Sequence, residues 1–276
     1  MPLLARLRSS RLALLAEKPV KAVIRRRLLA GRFRSDDFDI SAPGAGRPRG
    51  VAVLMCLWNR PGHFRTMLEL LDAQTGTPPI DLYLWNNSKV EHDLYLEELA
   101  FYRPSGALRS VRIVRSPYNL GSIARFYWAR ALAKKREQPI IVIDDDEVIE
   151  PTFVQTALEV HEPGAVHAWW AFTVASDDYF DRTPAVVGGP VDHVGPGGMV
   201  CSSAIFLDDE FFTALPQRYW MLDDLWFTWF ATSRGYTLKK LPVEIEFVLS
   251  DTNQHWSLGD LKREFFRYLS VRTSTR

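Results

Sequence analysis

An α/β fold built on a doubly wound, mostly parallel sheet is what this sequence predicts, and three observations predict it. Apolar, β-branched runs alternate with helix-period segments from Val51 to Ile143, in a βαβαβαβ order. Each strand run ends in polar or turn chemistry: Asn59-Arg60-Pro61, Asn86-Asn87-Ser88, Ser116-Pro117-Tyr118-Asn119 and Asp144-Asp145-Asp146-Glu147. Polar ends gathered on one edge of a parallel sheet describe a ligand crevice. At 276 residues, 47% hydrophobic and 24% charged, the chain has the make-up of an ordinary soluble globular protein and enough length for one full core.

The first element is set apart by charge. Of 34 basic and 33 acidic residues, ten bases and one acid lie at or before Arg34, which leaves the remainder with a net charge of −8. Leu3 to Leu29 carries Leu, Ala, Val and Ile at helical spacing among arginines, which predicts a basic amphipathic helix, or two broken near Pro19. Two readings are open for it: docking on an anionic membrane surface, or packing on the main domain. Nucleic acid is the weaker partner, because no aromatics interleave the bases. Ser41 to Pro48 is a linker by composition, so residues 1–48 read as a basic segment and linker, and 49–276 as the main domain.

Within that domain Val51–Trp58 is a predicted strand, Gly62–Ala73 a helix, Ile80–Trp85 a strand and Glu91–Tyr102 a helix. Val111–Val114 is a short strand, Ile123–Arg136 a helix and Ile140–Ile143 a strand. After Glu150 the regularity fades. Trp169, Trp170 and Phe172 mark a strand or crevice wall, and two Gly-rich turns bracket a loop around His193. Met221–Arg234 is an aromatic helix closed by Gly235, and Leu238–Val248 holds two short strands. Cys56 and Cys201 lack metal-site spacing and read as reduced core thiols, which points to the cytoplasm. No apolar stretch approaches the roughly 20 residues of a membrane span, and no cleavable leader is evident.

The four acids after Ile143 carry the most chemistry. Carboxylates are costly to bury, so a buried strand that ends in four of them must deliver them to something that offsets their charge. Hard oxygen donors with one carboxylate skipped between two others suit Mg²⁺ or Mn²⁺ carrying a diphosphate. The competing reading is an acidic turn facing solvent.

Over about residues 50 to 256 these segments resemble nucleotide-sugar-dependent glycosyltransferases of the GT-A fold. The family 2 type is the nearer pattern and the exostosin-like transferase domain the second. The resemblance rests on Asn59-Arg60-Pro61 with Gln74-Thr75, on Asn86-Asn87-Ser88, and on Asn119-Leu120-Gly121 with Arg125 leading into Ile143-Asp144-Asp145-Asp146. It continues through Gly197-Gly198-Met199 and Leu222-Asp223-Asp224-Leu225 to Arg234-Gly235-Tyr236. It implies a GT-A-type single domain with an irregular acceptor-side half. It also implies a nucleotide-diphospho sugar donor, UDP-linked in most such folds, and a glycan or glycolipid acceptor.

Residue by residue, it implies that Asp144 faces the ribose or metal and Asp146 binds the metal. Asp145, Asn59, Arg60, Asn86, Asn87 and Asn119 would lie by the nucleotide. Arg125 is open between pairing with phosphate, pairing with Asp144, and a plain surface role. Asp224, eleven positions before Gly235, falls where the family keeps its catalytic aspartate; Asp223 or Asp224 also suits a helix N-cap. His255 falls at a late metal-ligand position, and His193 is a weaker competitor. Trp226 and Phe230 replace an acid and an Arg common in family 2, which leaves open whether the anomeric configuration is inverted or retained.

Two rivals stand beside this reading. A haloacid-dehalogenase-type phosphatase also places D-x-D after an apolar strand, but there it opens the domain and Gly-Thr follows, whereas Glu147-Val148 follows here. A membrane-associated scaffold would use the basic head alone and leave the polar strand ends unexplained.

Overall fold

The computed structural model describes residues 21–40, 50–248 and 258–274. The expected linker at Ser41–Pro48, His255 and the first twenty residues lie outside them. Residues 21–29 are helical (α1) and lead into β1 (Asp36–Asp39). Then follow β2 (Val51–Leu57), α2 (Pro61–Asp72), β3 (Ile80–Asn86), α3 (His92–Phe101), β4 (Leu108–Arg115), α4 (Phe126–Lys135) and β5 (Pro139–Val142). The elements expected between Val51 and Ile143 are therefore all present.

The order across the main sheet is β1-β4-β3-β2-β5, with β4, β3, β2 and β5 mutually parallel. The chain builds outward from β2 to β4 and then returns to β5 on the other flank of β2. The topological switch point thus lies between β2 and β5, where open α/β sheets keep their ligand crevice. β2 and β5 read as unbroken apolar runs because both faces of the sheet are covered there, whereas β4, beside the edge strand, is interrupted by arginines. Along β2, Leu54 points to a core shared with Trp85, Val142, Phe126 and the later aromatic helix. Val53 and Met55 point to the opposite core, with Leu68 of α2 and Tyr95 and Leu99 of α3.

The second half holds β6 (Glu147–Ile149), α5 (Phe153–Val160), β7 (Ala165–Ala168), β8 (Ala171–Val174), β9 (Arg182–Pro184), β10 (His193–Val194) and β11 (Met199–Ser202). After these come α6 (Glu210–Thr213), α7 (Asp223–Ser233), β12 (Thr237–Lys240), β13 (Ile245–Phe247) and α8 (Gly259–Ser274). Here β11 joins β5 and β7 in antiparallel fashion, and β12 lies parallel to β7, completing an eight-stranded sheet. The sheet is therefore mixed, with four of its seven pairings parallel among the described residues. The two short strands expected within Leu238–Val248 are β12 and β13 and the aromatic helix is α7, whereas the other short strands of this half and α8 carry no periodic run.

The latter part of the basic segment belongs to this body. Leu28 is buried in the core, and Phe33 meets the rings of Trp85 and Trp128 edge-on at 5.2 and 4.8 Å. Asp36–Asp39 pairs antiparallel with β4 along the sheet edge. A charged Asp-rich strand suits that position, because acids discourage a further strand from adding.

Candidate active site

A cleft of ≈ 550 Å³ opens at the switch point, with walls from the ends of β2, β3 and β5, the 195–197 loop, the start of α7, and α8. Six carboxyl groups (Asp144, Asp145, Asp146, Glu147, Asp223 and Asp224) line it against three cations, Arg60, Arg125 and Lys262. How the three cations are shared decides the electrostatics.

Arg125 reaches the cleft from a short turn of 3₁₀ helix, Ser122–Arg125. Gly121 before it has φ 76°, and a Cβ there would sit 2.4 Å from the Trp220 carbonyl, so the turn needs glycine twice over. Asn119 accepts from the Gly121 N–H at 2.8 Å. Asn87 donates to the Gly121 carbonyl at 3.0 Å and accepts from the Leu120 N–H at 3.1 Å. Both amides line the cleft, yet their bonds hold this turn rather than project free. The fully buried Arg125 side chain then joins the two acidic segments: its guanidinium pairs with Asp144 and with Asp223, the latter at 3.0 Å, and donates to the Ile143 carbonyl. The surface reading of Arg125 is excluded by its burial.

Arg60, just before α2, pairs with Asp145 and, at 3.1 Å, with Asp146. Two guanidinium groups do not satisfy the strand end. Burial pushes the Asp145 carboxyl up to about 6, and burial together with the Asp144 charge pushes Asp146 up to about 7. Burial raises Glu147 well above the carboxylate range; its side chain accepts from the Asp144 N–H at 2.9 Å. The cluster is short of positive charge, and its donors are all hard oxygens.

Gly197 faces it so closely that a Cβ would lie 2.2 Å from a Glu147 oxygen and 2.8 Å from Asp144. That open approach and the cation-poor acids fit a divalent ion held by one or two carboxylates and completed by substrate phosphate. Among the described residues, no three His, Cys, Asp or Glu side chains form a metal cage of their own.

The start of α7 is the opposite case. Asp224 accepts from Lys262 Nζ of α8 at 2.7 Å and from the Tyr179 hydroxyl at 3.1 Å. Burial is the largest single effect and would raise this carboxyl, but the charge and hydrogen bond of Lys262, with smaller contributions that include the Leu225 N–H, together outweigh it, so Asp224 is held well below the carboxylate range. Asp223, tied to Arg125, is shifted upward by burial. The N-cap position of α7 is Leu222, so neither acid occupies it, although the Leu225 N–H of the first turn helps to lower Asp224.

Of the remaining sequence candidates, Asn86 lies off the cleft. It is fully buried, contacts His92 Nδ1 at 3.0 Å and accepts from the Ser88 N–H. Asn59 is not part of the lining. His193 is buried behind Asp224, 3.3 Å from the Tyr179 hydroxyl and 3.2 Å from Thr228; burial drops its imidazole to about 3, so it is neutral. Cys56 lines the cleft, but burial pushes its thiol up to about 12, which leaves no thiolate for nucleophilic work.

Sequence reasoning missed Lys262, Tyr179, Trp58 and Phe247. Trp58 adjoins Asn59 and was within reach of the strand-end argument. Lys262 and Tyr179 reach Asp224 across 38 and 45 residues of chain and carry no local signal.

No protein-family model matches the sequence, and no curated protein does. Solved structures do match. S. aureus TarS 1-349 aligns at 16% identity over 70% of this chain with a TM-score of 0.47, and the chain spans 58% of that chain's length. The mannosyltransferase PcManGT from Pyrobaculum calidifontis, in complex with GDP-Man and Mn²⁺, aligns at 14% identity and a TM-score of 0.55, over 94% of this chain and 73% of that one. At such identities the likeness speaks to architecture: this chain has a GT-A-type α/β fold.

Proposed function

We propose that the protein is a metal-dependent glycosyltransferase, moving a sugar from a nucleotide-diphospho donor to a hydroxyl of a glycan or glycolipid. The observation that carries this reading is the cation-poor acidic strand end at the sheet's switch point. The GDP-Man and Mn²⁺ in PcManGT support a donor and metal of these classes. Asp144 and Asp146 would hold the ion together with the donor's phosphates. A bound divalent cation there neutralises charge growing on the leaving diphosphate.

The chain's own residues do the remainder. Arg125 keeps Asp144 aligned and fixes the start of α7 relative to the strand end. Arg60 covers Asp145 and leaves the cluster partly unneutralised. Asp224 is ionised and so is able to accept the acceptor's proton as its oxygen attacks, the inverting case. In a retaining reaction the same carboxylate positions the acceptor or stabilises positive charge on the sugar. Trp58, Trp170 and Phe247 provide flat apolar faces at the cleft for sugar C–H surfaces. Trp226 is fully buried and Trp220 and Trp229 nearly so, and they serve the core instead. The phosphatase reading needs the D-x-D strand to open the domain, whereas here it is β5, behind three βα units.

Calorimetry with UDP-, GDP- and dTDP-linked sugars in the presence of Mn²⁺ or Mg²⁺ tests the proposal. One donor should bind with a requirement for the metal, and Asp146→Ala should abolish that binding without unfolding the protein. Failure of all donors to bind the wild type would overturn it, and p-nitrophenyl phosphate hydrolysis would favour the phosphatase. Product anomeric configuration then separates the two roles of Asp224.

A further inference from the structure

A second recess, of ≈ 400 Å³, lies at the carboxyl ends of β3 and β4, where α1 and the 32–36 segment cross the sheet. Its walls are apolar: Ile24, Leu28, Phe33, Trp85 and Val114. Four arginines stand around it, Arg27, Arg32, Arg34 and Arg115, against a single acid, Asp36. Arginines on the same sheet edge are matched: Arg109 pairs with Asp81 and Arg112 with Asp37. Among the described residues no carboxylate pairs with Arg27, Arg32 or Arg34, and Arg115 donates only to the Lys89 carbonyl, at 3.0 Å. Trp85 is fully buried, and its indole N–H has no hydrogen-bond partner.

We infer that this recess binds the phosphate of an anionic phospholipid. Guanidinium groups suit a phosphodiester because their paired N–H donors match its oxygens. The apolar walls suit the glycerol and first acyl carbons, which a free phosphate ion would leave uncovered. The charge of the chain favours the same occupant. Ten bases and one acid precede Ser35 in the sequence, six of those bases among the described residues, while the rest carries −8, so an anionic surface attracts this segment and repels the remainder. Among the described residues no helix is long and apolar enough to cross a membrane, so attachment by this face involves none of them in a span. The recess and the catalytic cleft share the carboxyl-end edge of the sheet; that docking here also brings the cleft near a lipid-linked acceptor rests on the function proposed above.

The full chain should bind dihexanoyl phosphatidylglycerol in calorimetry at one saturable site, at least about tenfold more tightly than inorganic phosphate. Equal affinity for the two would assign the recess to free phosphate and overturn the lipid proposal. Arg32→Lys/Arg34→Lys keeps the charge but loses the paired donors, so it should weaken lipid binding by about tenfold. Co-sedimentation with phosphatidylglycerol vesicles should fall in parallel, and phosphatidylcholine vesicles should bind neither protein. Binding within about twofold of wild type would mean diffuse attraction only and overturn the site. Arg27→Lys, read the same way, replaces the double variant if that melts early. Metal-dependent donor binding at the cleft should be unchanged in all of them, so failure of the lipid site and failure of the proposed activity are told apart.

Discussion

The acidic strand end after β5 and the acidic start of α7 line one cleft, and Arg125 bonds to both, yet they are held in opposite electrostatic states. At the strand end four carboxyls share part of two guanidinium groups, and burial drives Asp145, Asp146 and Glu147 upward. At the helix start Asp224 has Lys262 as its ion-pair partner, accepts from the Tyr179 hydroxyl, and lies far on the ionised side. One cluster is built to receive positive charge from outside the chain. The other has its charge neutralised in advance, and so keeps a fixed carboxylate beside the first. A site that must gather a diphosphate and then act on a neutral hydroxyl needs both conditions within one cleft.

The largest expected effect comes from cutting the link between the clusters. Arg125→Gln leaves Asp144 and the buried Asp223 without their shared partner, and removing one member of a buried ion pair costs about 3–5 kcal/mol. Urea unfolding of the purified variant measures it. A loss below about 1 kcal/mol would mean that the two clusters are held independently of Arg125. Next in size, Asp224→Asn should lower turnover by roughly 10²-fold or more while donor binding stays intact, the reverse of Asp146→Ala, which removes donor binding itself. Turnover within a few-fold of wild type would break the division of labour and move attention to Asp223.

How much of this was legible depends on how local the signal is. Strands β2, β3 and β5 were readable because sheet faces covered on both sides leave an unbroken apolar run. The acidic strand end was readable because its residues are contiguous. Asp36–Asp39 was not, since a charged edge strand has neither alternation nor an apolar run, and only its register with β4 makes it a strand. In the second half the strands have two to four residues, too short to show a period, and only the pair within Leu238–Val248 was legible. Asn86 and Asn87 look equivalent in sequence, but Asn86 closes β3 and Asn87 opens the loop beyond it, and their side chains take different partners. One bonds inward to His92 and the other holds the Gly121 turn.

Behind Asp224, the buried His193 sharpens the comparison through pH. Burial lowers its imidazole to about 3 although Asp224 pulls the other way, and Arg182 and Lys262 add to the lowering; Tyr179 and Thr228 are its hydrogen-bonding neighbours. The unfolded chain takes up a proton near pH 6.5 that the native state refuses, so stability falls as pH drops below that value. Between pH 6.5 and 4.5 this histidine should remove roughly 2–3 kcal/mol, and His193→Gln should flatten that slope in denaturant melts. An unchanged slope would mean that His193 takes up its proton as readily in the folded chain as in the unfolded one, because the strand-end carboxyls, raised by burial, gain stability as pH falls and push the other way.

The smallest effect tests whether the lysine is what keeps the helix-start carboxylate ionised. Lys262→Met keeps most of the apolar stem and removes the ammonium, which lies over the Tyr179 ring at 5.4 Å. Without it, burial is opposed mainly by the Tyr179 hydroxyl and the Leu225 N–H, so the Asp224 carboxyl moves upward. On the proposed function the active form is the carboxylate, so activity is lost as pH falls through that carboxyl's pKa, and raising the pKa moves the loss to higher pH. The acid limb of kcat, measured at saturating donor and metal so that the strand-end carboxyls are occupied, should therefore move to higher pH, with activity on the alkaline side retained. A limb that stays in place while donor affinity falls would mean that Lys262 serves the donor and that another group titrates. A limb that moves with donor affinity unchanged ties the ionisation of Asp224 to a side chain delivered by the C-terminal helix, and makes the seating of α8 a condition for turnover.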